Sequence, residues 1–133
     1  MTSVPSSSAL SSAPRARLRL GLRLLLAALM SGVGLLHFVQ PAPFVRIMPA
    51  WLPAPLLLVY VSGVFEILGG VGLLIPATRK AAAWGLIALY IAVFPANVSQ
   101  ALRKIPYGKA PLWLTWARLP LQAGFIAWAY ALT

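Results

Sequence analysis

Six side chains in this sequence are of types that make an intramembrane site: His37, Glu66, Asn97, Gln100, Arg118 and Gln122. Glu66 is the only acid, His37 the only histidine, and there is no cysteine. That inventory excludes disulfides, dithiol exchange and thiolate metal centres. One histidine and one acid are also too few for an all-protein metal cage. What remains is hydrogen bonding and charge balance. Glu66 stands near the middle of LLLVYVSGVFEILGGVGLLI, Leu56 to Ile75. Twenty helical residues at about 1.5 Å each match the roughly 30 Å hydrocarbon core of a bilayer. A bare carboxylate at that depth costs at least ~2.5 kcal/mol on insertion scales, so a partner or a functional reason is required.

Arg118 is the natural partner, because it alone among the cations lies well inside an apolar run. Counted from the same side of the membrane, Glu66 and Arg118 differ in depth by about 6 Å, within reach of an extended arginine. Pairing relieves the burial of both charges, and breaking the pair is more damaging than forming it is stabilising. An intramembrane ion pair is a candidate ligand site by default. The same ion pair can equally lock helices together with no ligand, and both readings stay open. His37, alone near a span end, reads as a hydrogen-bonded or headgroup-facing histidine, since a haem or metal would need further donors. Asn97-Val98-Ser99 matches a glycosylation sequon, but inside a span the match is chance.

Composition supplies the frame. The chain has 133 residues, 61% hydrophobic and 9% charged, with a mean hydropathy of +0.88. Soluble domains carry about a quarter charged residues. An integral membrane protein of one domain is expected. The net charge of +10 does not point to nucleic acid: apart from Arg118 the basic residues sit at the ends of apolar runs, where lipid headgroups meet them.

Taken in order, residues 1–14 are rich in serine with two prolines and read as a disordered tail. Arg15 to Arg23 form a basic collar leading into a first span, about Leu18 to Val39. A signal peptide would begin similarly, but the apolar run is too long for one. Gln40 to Pro55 holds five prolines, and a continuous helix does not survive that density. Phe44, Ile47, Met48, Trp51 and Leu52 nevertheless share one helical face, so either a short interfacial helix with Arg46 turned to the headgroups or a stiff loop is expected. Further spans follow at Leu56 to Ile75, about Ala81 to Leu102 and about Leu112 to Leu132. The fold class is all-α: a membrane-embedded four-helix bundle with a proline-rich interfacial segment between its first two spans. Ser62, Gly63, Gly69 and Gly70 surround Glu66 and mark the face where neighbouring helices come close. Ala88, Ala92 and Ala96 read as a second packing seam. Pro95 leaves the carbonyl of Ile91 without its usual donor, and Pro120 does the same to Trp116. The lysine and arginine distribution places both termini in the cytoplasm, although Arg103, Lys104 and Lys109 weigh against it.

The stretches GVGLLHFVQPAPF, RIMPAWLPAP, SGVFEILGGVGLLIP, TRKAAAWGL, FPANVSQAL and RLPLQAGFIAWAY resemble, in that order, the DoxX-like family of small bacterial membrane proteins. The resemblance covers most of Gly32 to Tyr130. It implies a four-helix protein of the bacterial cytoplasmic membrane, associated with quinol-linked oxidase or thiosulfate–quinone assemblies. It also implies that His37, Glu66, Asn97, Arg118 and Gln122 hold the family's motif positions. The thiol–disulfide work of neighbouring families does not carry over to a chain without cysteine. The expected role is an accessory subunit of a membrane redox complex, with no intrinsic cofactor and a bound quinone or lipid. Independent catalysis is not expected. A small transporter or channel and a purely structural packing protein are the alternatives, and homo-oligomerisation stays open.

Overall fold

Prolines divide this chain into its elements. In the computed structural model, which describes residue 4, residues 7–106 and residues 108–133 (for 7–11 the backbone alone), five helices follow one another and no strand occurs among the described residues. Helix α1 spans Ser7–Val39, α2 Ala42–Ile47, α3 Pro55–Leu74, α4 Arg79–Leu102 and α5 Trp113–Ala131. Pro55 opens α3 at a position where a missing N–H costs nothing, after Ala54 turns the chain in the left-handed region at φ +47°. The next helix break falls just before Pro76. There the Thr78 hydroxyl donates to the carbonyl of Gly72 at 2.9 Å, which closes the tight α3–α4 turn.

Three helices are long and apolar enough to cross a membrane: Ser12–Val39 within α1, Pro55–Leu74 and Arg79–Leu102. Helix α5 has 19 residues, a comparable length, but Arg118, Pro120 and Gln122 interrupt its apolar character. The first helix starts well before the expected Leu18. Residues 7–14 of the supposed tail are helical, with Pro14 inside the helix. Residues 1–3, 5 and 6 of that tail lie outside the described residues.

The packing order is α1 on α3, α3 on α4 and α4 on α5, while α1 and α5 scarcely touch. Glycine sets the first of these contacts. A Cβ on Gly34 would meet the Gly63 carbonyl oxygen at 2.8 Å, and one on Gly70 would meet the Ser31 hydroxyl at 2.5 Å and the Ala27 carbonyl at 2.9 Å. Such backbone-to-backbone approach is what joins helices in lipid, where apolar side chains gain little by leaving one oily phase for another. Gly69 faces the other way, onto Leu86 of α4. The expected alanine seam is different: Ala88 and Ala92 are exposed, and only Ala96 is buried. Helix α4 instead turns Ala83, Leu86, Ile87 and Tyr90 inward, because the bulky side chains fill the space that the glycines of α3 leave.

The apolar core occupies the half of the bundle nearer the α3–α4 turn. Leu26, Ala27 and Met30 of α1 meet Leu73 of α3, Leu86 and Tyr90 of α4, and Ala129 of α5 there. At the other end α2 lies against α3 and α4. It is a six-residue helix with Arg46 and Trp51 exposed and Phe44, Ile47 and Met48 half-buried. Arg103, just past α4, donates to the carbonyls of Arg46 and Met48, each at 2.8 Å. A basic residue expected at the headgroups thus also fastens the proline-rich segment.

Candidate functional site: an intramembrane polar cleft

Gly63 is the reason the site exists. Its missing side chain lets His37 of α1 settle against α3, where a Cβ would meet the His37 Cβ at 2.8 Å. One turn from that contact Glu66 points inward, and its Oε2 lies 3.1 Å from His37 Nδ1. The same nitrogen donates to the carbonyl of Val33 at 2.8 Å. Its proton is directed there, so the carboxylate contact is electrostatic. Glu66 Oε2 is buried and accepts no hydrogen bond. The histidine is buried, and Phe44 of α2 stacks on its ring with centroids 3.8 Å apart.

Helices α4 and α5 contribute an amide network. Asn97 Nδ2 donates to Gln122 Oε1, and Gln122 Nε2 donates to the carbonyl of Tyr90. The sequence expects a freed carbonyl one residue later, at Ile91. The cross-helix donor goes to Tyr90 because Tyr90 is buried while Ile91 faces outward. The Tyr90 hydroxyl continues the chain to α1, reaching Met30 Sδ at 2.8 Å.

Between α1 and α5, where the helices do not close, lies a cleft of about 650 Å³ lined by Met30, Val33, Glu66, Tyr90, Arg118 and Gln122, with apolar residues of α5 along its length. A smaller pocket of about 50 Å³ adjoins it, and His37, Phe44, Asn97, Glu66 and Arg118 share its wall. Five of the six sequence-expected residues therefore converge, and Glu66 and Arg118 are close enough to act on each other electrostatically. Gln100 stands apart from both cavities. It is buried at the end of α4, and its amide donates to the carbonyl of Ile105 at 3.1 Å to hold the turn. The sequence expects Arg118 as the acid's partner; the structure adds a second neighbour, His37, whose Nδ1 lies 3.1 Å from the carboxylate.

Tyr90, Met30 and Phe44 were not among the expected site residues. For Tyr90 a signal existed: it stands seven residues before Asn97 and so shares its helical face. Phe44 had none, since its place follows from how α2 folds back.

Chemically, the arrangement is an acceptor without a donor and a cation, set in a largely apolar slot. Among the described residues this defines an all-helical protein with three helices long and apolar enough to cross a membrane and a cleft open between α1 and α5. Residues 26–133 match the family described as Domain of unknown function (DUF8561), and the chain belongs to that family. No curated protein and no solved structure matches it.

Proposed function

We propose that the cleft binds a quinone-type amphiphile and that the protein is an accessory subunit of a quinone-linked membrane redox complex. The observation that carries this reading is Glu66 Oε2, a buried acceptor with no donor, at the wall of a cleft whose remaining surface is largely apolar. A buried acceptor left unpaired is unfavourable by about 1–3 kcal/mol, more for a charged group. A ligand hydroxyl supplies the missing donor. The hydroxyl of a reduced ring donates to Glu66, Arg118 donates to an oxygen of the ring, and the apolar tail leaves between α1 and α5. The resemblance to DoxX-like proteins supports the redox assignment. On this reading α5 is a fourth span, held at depth by Arg118 and Gln122 facing the cleft. The protein lies in a bacterial cytoplasmic membrane with both termini inside.

The test is purification in mild detergent from native membranes, with mass spectrometry of the lipid extract and of co-purifying proteins. The expected result is near-stoichiometric quinone on the wild type, lost from Glu66→Gln and Arg118→Gln, together with a redox partner. Wild-type protein recovered alone and free of quinone overturns the proposal.

A further inference from the structure

The opposite end of the bundle carries a second cluster, independent of the cleft. Because Gly70 of α3 packs on Ala27 and Ser31, Arg23 stands one turn further along α1, level with the end of α3. Arg79, the first residue of α4, and Arg19 both act electrostatically on it. Arg23 is only 9% exposed. The Nε atoms of Arg23 and of Arg79 are buried and without a hydrogen-bond partner. Arg19 is fastened at the rim, donating to the carbonyl of Ala131 at 3.0 Å.

Three guanidiniums thus converge, and among the described residues no side-chain carboxylate pairs with them. The chain's single acid lies about 12 Å further into the membrane along α3. Gathering like charges at a partly dry site is unfavourable unless an anion joins them. The depth selects the anion. The α3–α4 turn marks the boundary of the apolar segments, which is the level of lipid phosphates, and Leu20, Leu24 and Leu25 on the same stretch of α1 are about half exposed for acyl chains to cover.

We propose that Arg23 and Arg79, with Arg19 at the rim, form a binding site for an anionic phosphate, supplied by the headgroup of an acidic phospholipid. The planar guanidinium fork matches phosphate oxygens two at a time. Basic pockets between transmembrane helices take acidic headgroups in the same way. Arg15 and Arg17, exposed on the same helix, add long-range attraction only.

Native mass spectrometry of the full chain released from bilayer discs of mixed phosphatidylglycerol and phosphatidylcholine tests this. The wild type retains phosphatidylglycerol preferentially, and each guanidinium removed weakens retention about fivefold, so Arg23→Gln with Arg79→Gln nearly abolishes it. Arg15→Gln with Arg17→Gln leaves it within about twofold, since screened exposed charges contribute little. If the inner pair of substitutions prevents folding, Arg19→Gln alone, at an exposed position, still shows the expected fivefold loss. Equal retention of both lipids, or equal loss from the Arg15/Arg17 pair, overturns the site. In detergent, phosphatidylglycerol raises the melting temperature and inorganic phosphate at the same concentration does not; the reverse order overturns the lipid assignment in favour of a soluble phosphate.

Discussion

Glu66 and Gln122 have different tasks, although both line the same cleft. Glu66 has an oxygen to spare, and Gln122 has none: its oxygen accepts from Asn97 and its nitrogen donates to Tyr90. Replacing Glu66 by Gln preserves shape but exchanges a charged acceptor for a weaker one. Bonds to charged groups contribute about 1.5–3 kcal/mol, so quinone affinity in detergent falls at least about tenfold while the melting temperature stays near wild type. Gln122→Leu gives the converse. It strands the Asn97 amide and the Tyr90 carbonyl in the interior, and stability falls by about 1–3 kcal/mol, read from unfolding in mixed micelles. A Gln122→Leu protein as stable as wild type would show that the network is dispensable.

Among the helices, glycine decides who touches whom. Gly32 and Gly34 sit two residues apart on α1, yet a Cβ at Gly32 meets nothing within 4 Å, whereas at Gly34 it meets backbone of α3. Helical side chains cannot yield there, because the obstructing atom is a carbonyl oxygen. Gly34→Val is therefore expected to lose about 3 kcal/mol or more and to separate α1 from α3, whereas Gly32→Val stays folded and monodisperse in size-exclusion chromatography. The short α2 depends on a different device. Arg103 holds the carbonyls of Arg46 in α2 and of Met48 just past its end, so Arg103→Ala loosens residues 41–54 and speeds their hydrogen exchange severalfold, with the protection of α3 and α4 unchanged.

At the scale of the whole molecule, the two ends are complementary in design. The half near the α3–α4 turn is closed by an apolar core and ringed by arginine; toward α2 the bundle opens into largely apolar cavities that carry the polar side chains His37, Glu66, Asn97 and Arg118. The four-span topology proposed above, with both termini inside, puts the α3–α4 turn inside and the α4–α5 link outside the membrane. With no native cysteine, single cysteines at Ala77 and Lys109 report this directly. An impermeant maleimide added to intact cells labels Lys109→Cys and leaves Ala77→Cys unlabelled until the membrane is opened. Labelling of both from outside rejects the topology.

The sequence by itself determined the helical class, the membrane and the neighbourhood of the acid. Hydrophobic runs of membrane length leave the backbone no alternative to satisfying its own hydrogen bonds, and prolines mark where those runs end. It also ranked Glu66 above every other residue, because a lone charge in an apolar run is costly wherever the run packs. Tertiary structure alone brought a second side chain to it. The sequence pairs Glu66 with Arg118, which does act on it electrostatically, but only the close approach of α1 at Gly63 sets His37 3.1 Å from the carboxylate as well. The same holds for Gln100, which its residue type grouped with the site and whose amide serves the turn at Ile105. Periodicity gives the direction a side chain takes from its own helix, but only packing shows what lies in that direction.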